Sequence, residues 1–94
     1  MVHILLICYD IPDDDRRTAI SNLLAVHGAR VQLSVFEIAL PTKKEVRSLR
    51  SSLRRLIDKD TDQVRIYPLS PIAANEMVIL GRRRLEERAD FWIV

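Results

Sequence analysis

The chain has 94 residues, a formal net charge of +2, 48% hydrophobic residues and 30% charged residues. That length and balance fit one soluble globular domain with a small core and exclude a disordered chain. A single cysteine excludes an intrachain disulfide and a thiolate metal cage, and two glycines supply poorly the flexible loops that cradle phosphates.

The chain opens with an apolar run over residues 2–8, broken by one histidine, and a proline follows at position 12. An Ile- and Leu-rich run of this length predicts a strand buried on both faces. Asp10 therefore lies at the end of a central strand, where an ionised carboxylate is costly to desolvate unless a cation, a metal or a backbone donor pairs with it. Asp10 is the first candidate for chemistry.

A helix and a strand follow this opening. Three acids at positions 13–15 cap a helix N-terminus and complement its dipole. Apolar residues then recur at helical spacing until Gly28 supplies a stop, so a first helix is predicted over about residues 14–27. The alternation of residues 30–38 predicts one second strand with both faces partly covered.

The most regular pattern is a helix over about residues 43–57, which a capping-box sequence at residues 42–45 introduces. Arg47, Arg50 and Arg54 fall on a stripe beside its apolar residues. Arginine suits bidentate contact with phosphate, so this basic face predicts a polyanionic partner. The alternative is a solvated helix face, which looks similar in unrelated proteins.

The remainder of the chain contains shorter patterns. A polar turn at residues 58–62 precedes a strand over residues 64–67, and another short strand is predicted at residues 77–80. Residues 82–89 predict a solvated helical turn or a linker, and the four apolar residues 91–94 predict a terminal strand.

The order of these elements, with one apolar face on each helix, matches an α+β, ferredoxin-like β-α-β-β-α-β sandwich of two helices on one antiparallel sheet. In such a fold the helices cover only one face of the sheet. The face that carries Phe36 and Ile38 is too apolar to remain exposed to solvent. A second copy is the simplest cover, so we predict a homodimer with Phe36 in its interface.

The C-terminal segment is also predicted to contribute to contacts with the second copy. Phe91 and Ile93 belong to a terminal strand that we expect to add to the edge of a sheet, either the partner's or its own. Residues 1–94 thus form a single domain, of which residues 82–94 are a tail that contacts the second copy or another partner.

Three blocks of the sequence carry a resemblance to one known family. They are Tyr9-Asp10-Ile11 with acids and Arg16-Arg17 following, Gly28 with Arg30-Val31-Gln32-Leu33-Ser34-Val35-Phe36-Glu37, and Asp62-Gln63-Val64-Arg65-Ile66-Tyr67-Pro68-Leu69. In this order, across nearly the whole chain, they resemble the small CRISPR-associated Cas-two (Cas2) family, the partner of the Cas-one (Cas1) integrase in spacer acquisition. Residues 70–88 match nothing specific.

The resemblance implies a ferredoxin-like homodimer, a divalent metal such as Mg²⁺ between two symmetry-related copies of Asp10, and metal-dependent phosphodiesterase activity on RNA or DNA. It also implies a structural role, in which the dimer bridges integrase dimers along captured duplex DNA. One carboxylate per chain is too few for Mg²⁺, and a two-fold axis supplies the second. The alternative is that Asp10 caps the turn into the first helix.

The remaining candidates surround Asp10 in the sequence. Arg16, Arg17 and Arg30 are candidates for phosphate contact near it, and ordinary surface charge is an equal alternative for each. Tyr9, one step back along the strand, is expected to face the core.

Two functions from different classes follow. One is a metal-dependent nuclease that acts through paired Asp10 carboxylates. The other is a non-catalytic adaptor whose dimer positions duplex DNA and holds the integrase. A ligand-sensing module is a poorer third, because a Gly-rich effector loop is absent from the sequence. The longest apolar stretch is too short to cross a bilayer and lacks the flanks of a signal peptide, so we expect a cytoplasmic protein with no membrane partner.

Overall fold

The computed structural model describes residues 2–81. In chain order the elements are β1 (His3–Asp10), α1 (Asp14–His27), β2 (Gly28–Gln32), β3 (Val35–Leu40), α2 (Lys43–Leu56), β4 (Gln63–Leu69) and α3 (Pro71–Asn75). The four strands form one antiparallel sheet in the order β2-β3-β1-β4. This is the β-α-β-β-α-β arrangement of a ferredoxin-like fold, so the predicted α+β class is confirmed.

The single strand predicted over residues 30–38 is wrong in form, because the chain reverses inside it. A two-residue turn at Leu33 and Ser34 joins β2 to β3, with Gln32 paired to Val35. Neither turn residue is Gly, Asn or Asp, so the usual sequence signal of a hairpin is missing. The alternation of apolar residues continues across the turn, and for that reason the sequence pattern predicts one strand where the structure has two.

The strand predicted at residues 77–80 is also wrong. These residues form no regular structure, and Val78 and Leu80 are 77% and 90% exposed. Ser70 instead begins the short helix α3, where its hydroxyl accepts a hydrogen bond from the Ala73 N–H. An apolar run becomes a strand only where a sheet edge pairs with it. The predictions for residues 82–94, with Phe91 and Ile93, lie outside the described residues.

The core lies between the helices and one face of the sheet. Leu5, Ile7 and Tyr9 of β1 are buried there, whereas Asp10 is exposed. Ile4, Leu6 and Cys8 alternate with them and are only partly buried, so β1 is covered fully on one face rather than on both. Neither α1 nor α2 packs on that second face.

Phe36 requires a correction for the same reason. It is 1% exposed within the single protomer and belongs to the core together with Ile20 and Leu24 of α1. The sequence indicates correctly that α1 and α2 leave one face of the sheet uncovered. It places Phe36 on that uncovered face, whereas the Phe36 side chain faces the helices. The residues of β3 that alternate with Phe36 are Val35, Glu37 and Ala39, and these are half-buried. Phe36 is therefore a core side chain with almost no surface left for a second copy.

The helix starts follow the predicted chemistry. Asp13 caps α1 by accepting a hydrogen bond from the Arg16 N–H, and Thr42 caps α2 by accepting one from the Glu45 N–H. Gly28 lies where α1 passes directly into β2, and a Cβ there would clash with the Glu37 carbonyl oxygen. No helix within residues 2–81 is long and apolar enough to cross a membrane.

Candidate metal site and nucleic-acid surface

We call the side of the sheet opposite α1 and α2 the open face. Strand parity and register assign it the following side chains: Ile4, Leu6, Cys8 and Asp10 of β1, Val35, Glu37 and Ala39 of β3, and Gln63, Arg65, Tyr67 and Leu69 of β4. The face is apolar along its middle, where β1 and β3 meet. Its charged side chains are Asp10, Glu37 and Arg65.

Asp10 is the last residue of β1 and lies opposite Gln63 in the register with β4. It is exposed, and its carboxylate makes no hydrogen bond or ion pair with any residue in the range 2–81. The interpretation of Asp10 as a helix cap is wrong, because Asp13 performs that role for α1. Asp10 is therefore a free carboxylate at the end of the central strand.

Tyr9, which precedes Asp10 in β1 and faces the core, holds the end of β1 against the β2–β3 turn. Its N–H donates a hydrogen bond to the Ser34 carbonyl oxygen at 3.1 Å, and its hydroxyl donates one to the Leu33 carbonyl oxygen at 3.3 Å. Its ring stacks on Phe36 with 6.4 Å between centroids. The predicted core position of Tyr9 is confirmed, since only 7% of the residue is exposed. These contacts tie the β2–β3 turn to the end of β1.

The described part of one protomer does not supply a cluster of metal-binding side chains. Within residues 2–81 there is no group of three or more His, Cys, Asp or Glu side chains close enough to share an ion. Mg²⁺ is bound in proteins by one or two carboxylates together with retained waters. Asp10 alone is the lower limit of such a donor set, and a second carboxylate from another chain would bring it to two. Its exposure and lack of a partner leave it free for that role.

Arg16 is committed to an ion pair within the protomer. Its Nε donates to Asp62 Oδ2 at 2.7 Å, and a terminal nitrogen donates to Asp62 Oδ1 at 3.1 Å. The Asp62 side chain has no exposed surface, and its carboxylate also accepts the Asp58 N–H. The Arg16 hydrogen bonds lower the pKa of Asp62 from 3.8 to about 2. The pair joins α1 to the loop before β4.

Arg17 and Arg30 are also engaged locally. Arg17 donates to the Ile11 carbonyl oxygen at 2.9 Å and forms an ion pair with Asp14. Arg30 donates to the Ser21 hydroxyl, and its guanidinium lies 5.4 Å from the centroid of the Phe36 ring. Neither residue forms an ion pair with Asp10, and the same is true of Arg16. All three arginines therefore bond to groups other than the Asp10 carboxylate.

The arginines of α2 differ from this group. Arg47, Arg50 and Arg54 are exposed, and their side chains make no hydrogen bond or ion pair with the rest of residues 2–81. Leu49 and Leu53 of the same helix are buried, so the helix orientation holds the three cations in solvent. Their spacing of three and four residues places them on one stripe. We call these three residues the α2 stripe.

Sequence reasoning missed Glu37 and Arg65. Glu37 is half-buried, its carboxylate has no partner among residues 2–81, and desolvation raises its pKa. Arg65 donates to Gln63 Oε1 at 3.0 Å and to the Tyr67 hydroxyl at 3.3 Å, both neutral groups. The sequence signal for each is a charged residue within a strand of alternating apolar residues. That signal indicates an interface residue only when the face of the sheet without α1 and α2 is known.

Comparison with known proteins identifies relatives over most of the chain. The family model described as CRISPR associated protein Cas2 matches residues 2–77. A Chloroflexus aurantiacus protein named CRISPR-associated endoribonuclease Cas2 3 is 45% identical over 76 residues, which is 81% of each chain. A Thermus thermophilus protein named CRISPR-associated endonuclease Cas2 2 is 46% identical over 81 residues, covering 86% of this chain and 84% of its own.

A solved structure extends the comparison to three dimensions. A chain of a partial Cas6-RT-Cas1–Cas2 complex superposes with a TM-score of 0.71 at 28% sequence identity. The match covers 93% of this chain and 99% of that chain.

The Arg16–Asp62 pair predicts a specific effect on acid stability. Asp62→Asn should lower the urea midpoint at pH 7, because it removes the carboxylate that Arg16 binds. The folded pKa of Asp62 is about 2, below the ordinary 3.8, so the carboxylate's contribution is complete above the ordinary pKa and is lost as the pH falls toward 2. The variant should therefore lose less stability than the parent between about pH 4 and pH 2.

Urea denaturation followed by far-UV circular dichroism from pH 7 to pH 2 measures both effects. Asp60→Asn is the matched control, because Asp60 is exposed in the same loop and its carboxylate accepts no hydrogen bond from residues 2–81. Equal acid-side losses in Asp62→Asn and the parent would contradict the assignment.

Proposed function

The chain belongs to the CRISPR-associated Cas2 family, and on that premise we propose that it works as a homodimer that positions duplex DNA for the Cas1 integrase during spacer acquisition. The observation that carries this proposal is the α2 stripe. Its three guanidinium groups are exposed and have no partner among residues 2–81, whereas Arg16, Arg17 and Arg30 are engaged within the protomer. Free arginines in a row suit successive phosphates of a nucleic-acid backbone.

The open face supports the homodimer. Its apolar side chains Ile4, Leu6 and Val35 are only half-buried in the single chain, and a second copy would remove them from water. An isologous contact through this face would leave α1 and α2 on the outside of both protomers. Both α2 stripes would then remain available to DNA.

Cas1 is the proposed protein partner. The structural neighbour described above belongs to a complex whose name joins Cas1 with Cas2. The sequence predicts that the terminal segment with Phe91 and Ile93 contacts the second copy or another partner, and Cas1 would be that other partner. That segment lies beyond residue 81, outside the described residues.

A second candidate activity is metal-dependent phosphodiester hydrolysis, which the names of both curated relatives favour. The observation in this chain that supports it is the exposed, unpaired carboxylate of Asp10. Asp10 from both protomers would hold a divalent cation such as Mg²⁺, which polarises a phosphate oxygen and lowers the pKa of bound water. Tyr9 would keep each carboxylate in place, because its two hydrogen bonds tie the end of β1 to the β2–β3 turn. RNA and DNA both remain candidate substrates.

Reversing the charge of the α2 stripe tests the adaptor function. Replacing Arg47, Arg50 and Arg54 together by Glu should weaken duplex binding and flatten its salt dependence, by about 0.9 in slope for each phosphate that the protein no longer neutralises. Fluorescence anisotropy with a labelled duplex at several salt concentrations measures both quantities. The matched control replaces the same residues by Lys, which keeps the charge and should keep most of the slope. Unchanged affinity and slope in the Glu variant would place the DNA elsewhere.

Asp10→Asn separates the two activities. The change is nearly isosteric but removes the negative charge that would hold the cation, so Mg²⁺-dependent cleavage of labelled RNA and DNA should disappear. Dimer formation and duplex binding should persist, and so should spacer integration in the presence of Cas1. Asp15→Asn, an exposed acid of α1, is the control.

Cleavage that survives in the pure Asp10→Asn protein would show that Asp10 is not a metal ligand. Loss of integration in a correctly assembled Asp10→Asn dimer would make hydrolysis the primary function instead.

A further inference from the structure

Two opposite charges on the open face lack ionic partners within residues 2–81. Glu37 of β3 lies opposite Leu6 of β1, and Arg65 of β4 lies opposite Cys8. No ion pair joins the two charges, since β1 runs between their strands and holds them apart. Arg65 bonds only to the neutral groups of Gln63 and Tyr67, as described above.

Closing the open face with a second copy would remove both charges from water. An ionised carboxylate or guanidinium loses far more hydration energy on burial than apolar contacts return, unless an opposite charge meets it. Burial in the single protomer already raises the pKa of Glu37. A dimer through this face therefore requires a cation near Glu37 and an anion near Arg65.

Two-fold symmetry can supply both the cation and the anion, because a second copy of this chain carries the same two residues. A two-fold axis that lies between the two sheets and runs along β1 would place β1 beside its own copy, with each Asp10 near its mate. Because β3 and β4 flank β1 on opposite sides, the same rotation lays β3 of one protomer over β4 of the other. Glu37 then faces the strand that carries the partner's Arg65.

The separations suit a direct contact. Facing sheets pack about 10 Å apart, with the side chains of both filling the gap. Glu37 is level with Tyr67 across the sheet and Arg65 is two residues further along β4, which is about 7 Å. An extended Arg side chain spans that offset when a Glu side chain reaches toward it.

We propose that Glu37 of each protomer forms a salt bridge with the partner's Arg65, so that two symmetry-related bridges set the register of the homodimer and align the two Asp10 carboxylates. The partner is a second copy of this chain, and the inference rests on the homodimer proposed above. Beyond the homodimer itself, the two residues Glu37 and Arg65 pair between chains and not within one chain.

Charge reversal distinguishes pairing between chains from pairing within one chain. Glu37→Arg places Arg against the partner's Arg65 twice in a homodimer, and Arg65→Glu places two acids together twice. Each variant alone should dimerise at least about tenfold more weakly than the parent. An equimolar mixture of the two variants should recover dimers, because a heterodimer contains one native bridge and one inverted bridge.

Native mass spectrometry of differently tagged chains measures the heterodimer fraction, and analytical ultracentrifugation measures dimer affinity. The expected heterodimer fraction is well above the random one half. The matched control mixes Asp15→Arg with Lys59→Glu, two exposed positions off the open face, and should give the random fraction with parental affinity.

The outcomes separate the two proposals. A parent protein that remains monomeric at high concentration would overturn the homodimer and the bridge together. A dimeric parent whose two reversed variants mix at random would overturn the bridge and leave the homodimer standing. If a reversed variant does not fold, Glu37→Gln, Arg65→Gln and their double variant replace it. Reductions in dimer affinity that do not add would support the bridge, and strictly additive reductions would overturn it.

Discussion

The packing of α1 and α2 on the same face of the sheet is the constraint on which the rest of this structure depends. Leu5, Ile7 and Phe36 form the core because α1 and α2 cover them. The residues that alternate with them face away from both helices and stay partly exposed. For that reason Asp10, Glu37 and Arg65 have no ionic partner in the described part of the chain, residues 2–81. Each of these features is explained if a second protomer closes the open face.

The arginines divide according to the same geometry. Arg16 stabilises the loop before β4, Arg17 the loop before α1, and Arg30 the packing of β2 on α1. The side chains of the α2 stripe make no hydrogen bond or ion pair within residues 2–81, and the stripe lies on the helix side of the sheet. A dimer closed through the open faces would turn its two stripes outward, in opposite directions from the shared axis. Such a dimer can hold nucleic acid outside while keeping its Asp10 pair inside.

Local patterns were sufficient to predict α2 and the position of β1, because a capping box and a proline-stopped apolar run act within a few residues. The reversal at Leu33 and Ser34 was hidden, since its residues carry no turn signal. Strand alternation shows that two faces differ but not which one receives the helices, so Phe36 was misplaced. The engagement of Arg16 depends on Asp62, 46 residues away, and no local pattern records such a contact.

The central claim is that two copies meet through the open face with β1 beside its own copy. Cys8 is the chain's single cysteine, lies on that face and is only partly buried in the protomer, so closing the dimer should shield its thiol from solvent. Labelling of Cys8 by a maleimide should therefore slow as the protein concentration rises through the dimer dissociation constant, and Cys8→Ser should take up no label. A protein that sediments as a dimer but whose Cys8 is labelled as fast as in the monomer would contradict the claim.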